Sequence, residues 1–132
     1  MNDPKVTINR FIAEFQTAGN EAVAEDLPAS DFVDHTPFPG FGSTRQDVMA
    51  LFRVLRGAFP DLRAEVVEQL CDGDRVATRK TFHGTHLGPF AGKAPKGRVV
   101  AIRVIDLVRI TDGKIREHWN VVDVAGLMAA LG

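Results

Sequence analysis

Residues 99–122 read VVAIRVIDLVRITDGKIREHWNVV, and this stretch decides the fold. Two runs rich in β-branched residues flank Asp112-Gly113, a dipeptide typical of a two-residue hairpin turn. The pattern predicts two antiparallel strands, one over 99–110 and one over 114–122. A histidine, a tryptophan and an asparagine interrupt the second run, which raises the question of whether they face solvent or a pocket.

The rest of the chain adds strands and helices to this hairpin. Imperfect alternation of apolar and polar residues predicts two earlier strands, over 62–71 and 74–86. Helices are predicted from Asp3-Pro4 to Gly19, over 20–27, from the capping box Ser43-Thr44-Arg45-Gln46 to Pro60, and from about Val124 onward. The glycine- and proline-rich stretch 87–98 is expected to be a long loop, a type of segment that often carries function.

Helices followed by an antiparallel meander predict a single α+β domain over residues 1–132. The helices are too few to cover both faces of a sheet built from such long strands. The sheet is therefore expected to curve into a cone around the helices, to pack its outer face on a second chain, or to do both.

The composition argues against several classes of function. The chain carries a net charge of −1, with 45% hydrophobic and 25% charged residues. This balance lacks the excess of positive charge that is typical of proteins that bind nucleic acid. No apolar run approaches the length of a membrane span. The stretch MNDPKVTINRF lacks the apolar core of a signal peptide, and the single cysteine, Cys71, cannot form an internal disulfide. A cytoplasmic protein with no nucleic-acid or membrane partner is expected.

One acidic residue stands among apolar neighbours in the strand over 99–110. The even-numbered positions of this strand are apolar except for Asp106, whereas the odd-numbered positions are mixed. Asp106 is therefore predicted on the more buried face, where an ionised carboxylate is costly unless it is paired or hydrogen-bonded. General acids and bases use such a setting, although a structural carboxylate tied to backbone amides or an arginine fits the same pattern.

The hairpin turn determines which residue lies opposite Asp106. A two-residue turn at Asp112-Gly113 propagates a register that places Trp119 opposite Asp106, on the inner face. His118 then falls on the outer face. A bulged turn would reverse this assignment.

Three histidines and a second aspartate are further candidates for chemistry. His35 precedes a proline- and phenylalanine-rich loop, and His83 and His86 lie at the mouth of the long loop. Asp123 stands where a helix N-cap belongs, and capping alone is a sufficient reason for an aspartate there. His83 and His86 would face opposite sides of a strand, and no HExxH pattern or cysteine cluster is present. No metal site is expected, and no dinucleotide, P-loop or serine-nucleophile motif is found.

Six segments, in this order, resemble one protein family: DFVDH (31–35), AFPDLR (58–63), DGDRVATR (72–79), GTHLGPFAGKAPKGR (84–98), IDLVRITDGKIREHW (105–119) and VVDVAGLMAALG (121–132). Together they are similar to the SnoaL-like polyketide cyclases, also called predicted ester cyclases, over nearly the whole chain. The resemblance implies a cone-shaped α+β barrel of the nuclear-transport-factor-2-like type, which often forms homodimers through the outer face of its sheet.

The resemblance also implies a reaction. Cyclases of this family close a ring of an aromatic polyketide precursor by intramolecular aldol condensation, without metal or cofactor. The residues that match the family's motifs are two acids and three histidines: Asp106, Asp123, His35, His86 and His118. Two positions depart from the usual pattern, because Lys96 stands where threonine is usual and Ala130 where glutamine is common.

The expected ligand is a small hydrophobic or aromatic carbonyl compound. His118 is a candidate for polar contact with this ligand. Four aromatic residues are candidates for the walls of the pocket: Phe38, Phe59, Phe90 and Trp119. A non-catalytic binding module in the same cone is one alternative, and an isomerase or epoxide hydrolase on the same scaffold is another. The direction of the two aspartates separates these readings, since the enzyme requires a carboxylate that faces the pocket.

Overall fold

The computed structural model describes residues 3–132 and confirms the α+β class. In chain order the elements are α1 (Pro4–Arg10, continued by a π-helical segment over Phe11–Thr17), α2 (Glu21–Asp26), β1 (Pro28–Asp34), α3 (Arg45–Ala58), β2 (Arg63–Asp72), β3 (Arg75–Thr85), β4 (Val99–Thr111), β5 (Lys114–Val122) and α4 (Val124–Leu131). The strands form one curved, unclosed sheet in the order β1-β5-β4-β3-β2. The helices pack against its concave face, as the cone-shaped fold requires.

Strand parity decides which side chains face the helices. In β4 the even-numbered residues from Val100 to Ile110 are buried, and the odd-numbered ones are exposed or half-buried. β3 follows the same rule, with Thr78 paired to Asp106 in register. The predicted inward position of Asp106 is therefore confirmed.

The register of the β4–β5 hairpin departs from the prediction at one residue. Ile110 pairs with Ile115, but Arg109 pairs with Glu117, so Arg116 is an extra residue in β5. Such a β-bulge leaves one residue of the longer strand unpaired. Because side chains alternate with a period of two, one extra residue moves every later side chain of β5 to the opposite face.

The predicted pairing of Asp106 with Trp119 is therefore wrong. Asp106 lies opposite Asn120, and Trp119 lies opposite Leu107 on the outer face. His118 faces inward, contrary to the prediction from an unbulged turn. The apolar residue Ile115 precedes the bulge and fits either register, so the hydrophobic pattern alone does not reveal it.

Strand β1 was not predicted from the sequence. It runs parallel to β5, with Val33 beside Glu117 and Asp34 beside His118. The sequence PASDFVD contains a proline and two aspartates, residue types that are depleted in strands, and its register breaks between Pro28 and Val33. This short strand matters because it brings Asp34 next to His118.

Capping groups set the bounds of the helices. Gly19, predicted as the stop of the first helix, has a φ of 76°, the left-handed conformation that favours glycine. Arg56 of α3 donates hydrogen bonds to carbonyl oxygens at the end of that helix: those of Phe15, Gln16 and Thr17. At the start of α3 a capping box forms between Thr44 and Asp47, one residue later than predicted.

The segment 87–98 is a loop, as predicted, apart from one bridge between Phe90 and Lys93. The N–H of Gly88 donates to the carbonyl of Ala58 at 3.1 Å, which ties the loop to the end of α3. At this close approach a Cβ on residue 88 would lie 2.2 Å from a backbone oxygen, so glycine is required. In the described part of the chain, none of the helices is long and apolar enough to cross a membrane.

Candidate active site

A cavity lies between the helices and the concave face of the sheet. Its volume is about 330 Å³, in the range of small-molecule sites. Most of its lining is apolar and comes from the helices and the sheet, with Phe52, Val104 and Leu127 as examples. Phe38 and Phe90, from two separate loops, also line it.

A buried ion pair forms part of the cavity wall on β3 and β4. The Nζ of Lys80 lies 2.7 Å from Oδ2 of Asp106, and the two side chains are 3% and 2% exposed. Lys80 also donates to Oε1 of Gln16 at 2.9 Å. Among residues 3–132, nothing donates a hydrogen bond to Oδ1 of Asp106. Because a buried acceptor without a donor is costly, this oxygen is the natural contact point for a polar group of a ligand.

A second polar pair lies at the β1–β5 edge of the same wall. The Nδ1 of His118 is 3.0 Å from Oδ1 of Asp34, which also accepts from the N–H of Thr36 at 3.0 Å. An ionised carboxylate can only accept, so Nδ1 carries the hydrogen in this pair. His118 lines the cavity, and its Nε2 contacts no hydrogen-bonding group among the residues that the structure describes.

Thr36 and Asn120 complete the polar part of the lining. The hydroxyl of Thr36 donates to Oδ1 of Asn120 at 3.0 Å and accepts from its backbone N–H at 2.8 Å. These bonds fix the segment after β1 against β5. They therefore help to hold Asp34, at the end of β1, next to His118 on β5.

The ion pair and the histidine pair lie within reach of one ligand. Asp106 is opposite Asn120, and His118 is two residues before Asn120 on the same face of β5. Diagonal neighbours in an antiparallel pair are about 7–8 Å apart. A flat compound of one or two rings can therefore contact both Asp106 and His118.

The residues singled out from the sequence divide into two groups. Four of them line the cavity: Asp106, His118, Phe38 and Phe90. Five of them do not: His35, Trp119, His86, Phe59 and Asp123. The reason differs from residue to residue in the second group.

His35 and Trp119 lie on the outer face of the sheet. Their rings stack, with centroids 4.7 Å apart and planes 10° from parallel. The guanidinium of Arg75 lies 5.5 Å from the centre of the tryptophan ring, and His35 bonds to Glu117 at 3.0 Å. The bulge in β5 turns Trp119 outward, so its expected inward position is wrong, and alternation after Asp34 turns His35 away from the cavity.

His86 and Phe59 are packed in the core behind the cavity. Both are fully buried, and their rings lie 5.6 Å apart. Neither ring nitrogen of His86 has a hydrogen-bond partner among the described residues. Phe90 packs against Phe59 and is the member of this cluster that reaches the cavity.

Asp123 serves as the N-cap of α4. Its Oδ1 accepts from the N–H of Gly126 at 2.9 Å, and its Oδ2 contacts Arg103 at 2.6 Å. The backbone N–H of Gly126, and then Arg103, hold the pKa of this carboxyl below its ordinary value of 3.8. The capping interpretation weighed for this residue is the one that fits its position outside the cavity.

The lowered pKa of Asp123 predicts an effect of pH on stability. A carboxyl with a depressed folded-state pKa stabilises the fold above its unfolded-state pKa, and this contribution is lost as the pH falls through the folded-state value. Asp123→Asn keeps a capping oxygen but loses the charge. Urea denaturation should show the variant less stable than wild type at neutral pH, with a gap that closes below pH 3.8. A gap that persists undiminished in acid would contradict this assignment.

Sequence reasoning missed several polar residues of the lining, namely Lys80, Gln16, Thr36 and the inward-facing Asn120. A signal for Lys80 was present, because it shares the parity of the buried residues Val76 and Phe82 in β3. Gln16 lies on a π-helical turn, whose spacing differs from the 3.6-residue period used to read the helix. Within residues 3–132, no group of three or more metal-ligating side chains is close enough together to hold a metal ion.

Comparison with known proteins gives one family. A profile described as SnoaL-like polyketide cyclase matches residues 6–131. Among characterised proteins, aklanonic acid methyl ester cyclase AcmA of Streptomyces galilaeus is 37% identical over 59 residues. That alignment covers 45% of this chain and 41% of AcmA, so this chain spans less than half the length of that relative.

Solved structures are similar over nearly the whole chain. IdmH of Streptomyces antibioticus, described as a proposed polyketide cyclase, is 31% identical, with a TM-score of 0.88 over 99% of each chain. AclR of Streptomyces galilaeus, described as a proposed hydroxylase, is 29% identical, with a TM-score of 0.85 over 98% of this chain and 95% of its own. Since these two carry different proposed activities, the shared fold alone does not decide the reaction.

Proposed function

This chain belongs to the SnoaL-like polyketide cyclase family, and we propose that it closes a ring in a small apolar carbonyl compound by acid/base-catalysed intramolecular aldol condensation. The proposal uses side chains of the cavity alone and calls on no cofactor. Asp106 is the base, and His118 is the proton donor. Family membership supports the reaction class, and the lining of the cavity supports the choice of residues.

The observation that carries the proposal is the unpartnered Oδ1 of Asp106. This oxygen is buried in a wall of hydrocarbon side chains, beside a cavity large enough for a flat ligand. Its sister oxygen is held by Lys80, which fixes the orientation of the carboxylate. Removal of a proton from carbon requires a base that is held in place, shielded from water and adjacent to the C–H group of the bound ligand.

The proposed reaction runs in two proton transfers and one bond formation. Oδ1 of Asp106 removes a proton from the carbon next to a carbonyl, and the electron pair of that C–H bond forms an enolate, whose oxygen accepts a hydrogen bond from Nε2–H of His118. The enolate carbon attacks a second carbonyl of the same molecule, which forms the C–C bond and leaves an alkoxide. With both ring nitrogens protonated, His118 gives its Nε2 proton to the alkoxide and keeps Nδ1–H on Asp34. The proton taken up by Asp106 then returns to Nε2 through solvent.

The two groups can supply a rate enhancement of the size found in such enzymes. A positioned general base contributes roughly 10²–10⁴ in rate. A preorganised donor to the developing oxyanion contributes a further factor of about 10²–10³. Asp34 supports the contribution of the oxyanion donor, because its hydrogen bond with Nδ1 fixes the ring of His118.

Exchange of carbon-bound hydrogen tests the first step. In D₂O, the wild-type protein should exchange the methyl hydrogens of acetonaphthone for deuterium faster than buffer alone, as followed by proton NMR. His118→Gln should slow this exchange by about 10²-fold, because the enolate oxygen loses its ring donor.

The matched control is His83→Gln, which changes a histidine that bonds Glu65 on the outer face of the sheet. This variant should exchange at the wild-type rate. A wild-type protein that exchanges no faster than buffer would contradict the proposal, and equal rates in both histidine variants would remove His118 from it.

A non-catalytic binding cavity is the second candidate, and one observation favours it. Asp106 already has an ionic partner in Lys80, so the pair is able to orient a polar end of a ligand without any proton transfer. This candidate predicts saturable binding of acetonaphthone by calorimetry together with no exchange in the same samples.

The outer face of the sheet supports a homodimer as part of the same proposal. Three aliphatic residues there are highly exposed: Val99 at 78%, Ile105 at 56% and Val121 at 76%. Burial of such a patch against a second copy removes apolar surface from water. Light scattering should give twice the chain mass of 14.4 kDa for wild type and the single mass for Ile105→Asp. A wild-type protein at the single mass over all concentrations would contradict a dimer.

A further inference from the structure

We propose that the side-chain amide of Gln16 binds a second carbonyl oxygen of the ligand, so that the C–H group beside Asp106 lies between two carbonyl groups. The substrate class is then a β-dicarbonyl compound and not a simple ketone. The inference rests on the proposed function for the base and for the first carbonyl contact, and it adds the residue that selects the ligand. It begins from a glutamine that is 8% exposed and lines the cavity.

Lys80 fixes the orientation of the Gln16 amide. The Nζ of Lys80 lies 2.9 Å from Oε1 of Gln16, and an ammonium can only donate hydrogen bonds. The amide oxygen therefore faces Lys80, and the amide nitrogen with its two hydrogens points away from the amine. Within residues 3–132, no group accepts a hydrogen bond from this Nε2. Because a buried donor without an acceptor is costly, a ligand oxygen in the cavity is its natural partner.

The backbone around Gln16 is held in an unusual conformation. Phe11–Thr17 form a π-helical segment, a conformation that occurs frequently at functional sites. The N–H of Ala18 donates to the carbonyl oxygen of Ala13 at 3.1 Å, which closes the wide turn. The carbonyl oxygen of Gln16 accepts from the guanidinium of Arg56 at 2.7 Å. These contacts fix the position from which the amide reaches the cavity.

The two donors lie on opposite sides of Asp106. Lys80, on β3, pairs with the residue two positions before Asp106 in β4, whereas His118, on β5, pairs with the residue two positions after it. The amide of Gln16 lies at Lys80, so His118 is across the carboxylate from it. A ligand whose acidic carbon lies at Oδ1 of Asp106 therefore meets His118 on one side and Gln16 on the other.

A second carbonyl group suits the strength of the base. A carboxylate is a weak base, and a proton between two carbonyl groups is far more acidic than a proton next to one. Oδ1 of Asp106 takes this proton, and the electron pair of the C–H bond spreads over two oxygens. His118 and Gln16 each donate a hydrogen bond to one of these oxygens in an apolar cavity, where such bonds are strongest. The enolate carbon then attacks a further carbonyl, as in the proposed reaction.

Two probes of equal length test the inference: benzoylacetone, and butyrophenone, in which a methylene group replaces the second carbonyl. Calorimetry on the full chain should show about tenfold tighter binding of benzoylacetone, the size of one net hydrogen bond. Gln16→Met has a side chain of similar length without an N–H, and it should bind both probes with equal affinity. Gln46→Met, at an exposed position of α3 outside the cavity lining, should keep the wild-type preference.

The ratio of the two affinities separates a ligand contact from a structural role. Equal weakening of both probes by Gln16→Met would overturn the inference, and so would a wild-type protein that does not prefer benzoylacetone. Gln16→Leu, which also lacks the N–H, gives the same test if the methionine variant does not fold.

The proposed function fails separately from this inference. A wild-type protein that exchanges acetonaphthone without preferring benzoylacetone would keep the proposed function and remove Gln16 from it. A preference that Gln16→Met abolishes, in a wild-type protein that exchanges nothing, would overturn the proposed function and keep the contact with Gln16.

Discussion

Asp106→Asn is expected to slow hydrogen exchange of acetonaphthone by roughly 10²–10⁴-fold, the usual contribution of a positioned base. The amide has nearly the same shape as the carboxylate, but it cannot take up a proton. Its oxygen can still accept a hydrogen bond from Lys80, but the buried ammonium loses its counter-charge, so a loss of stability is expected together with the loss of the base. The measurement is the rate of loss of the methyl proton signal in D₂O.

The matched control for this variant is Asp31→Asn, because the side chain of Asp31 is 82% exposed and lies outside the cavity lining. It should exchange at the wild-type rate. Thermal unfolding of both variants, followed by circular dichroism, verifies that folded protein is compared. A folded Asp106→Asn variant with wild-type exchange would remove Asp106 from the chemistry.

Lys80→Met is expected to have the largest effect on stability. It removes the partner of a carboxylate that is 2% exposed and leaves a buried charge without compensation. Breaking a buried pair in this way costs about 3–5 kcal/mol of unfolding free energy. Urea denaturation, analysed by linear extrapolation, gives this quantity.

The double variant Lys80→Met/Asp106→Leu is expected to regain most of that loss. With both charges replaced by hydrocarbon, no desolvation penalty remains, and such replacements are often neutral or stabilising. The control is Lys114→Met, whose pair with Asp26 has side-chain exposures of 39% and 64%. Exposed pairs are worth about 0.2–1 kcal/mol, so this variant should change little. A double variant as unstable as Lys80→Met would show that the methionine itself, and not the unpaired charge, causes the loss.

The sequence carried enough information to place Asp106. Its parity in a strand of apolar even-numbered residues predicted the buried face, and the structure has it there. Local hydrophobic periodicity decides such positions because one face of the sheet must meet the helices. The same logic, applied to β3, would have found Lys80.

Other features depend on contacts that the local pattern does not encode. One extra residue, Arg116, reverses the faces of His118 and Trp119, and nothing in the alternation of that strand marks it. β1 forms because β5 offers a free edge for pairing, so the strand propensity of its own residues does not predict it. These two features create the Asp34–His118 pair, which is why the sequence could place the carboxylate of the site but not its histidine.

A crystal structure with acetonaphthone bound tests the central claim most directly. We expect a ligand in the concave cavity whose methyl carbon lies about 3–3.5 Å from Oδ1 of Asp106, the separation of reacting atoms in a competent complex. Its carbonyl oxygen should face Nε2 of His118. A ligand on the outer face beside Trp119, or one that directs its carbonyl away from Asp106, would contradict the role of Asp106 as the base.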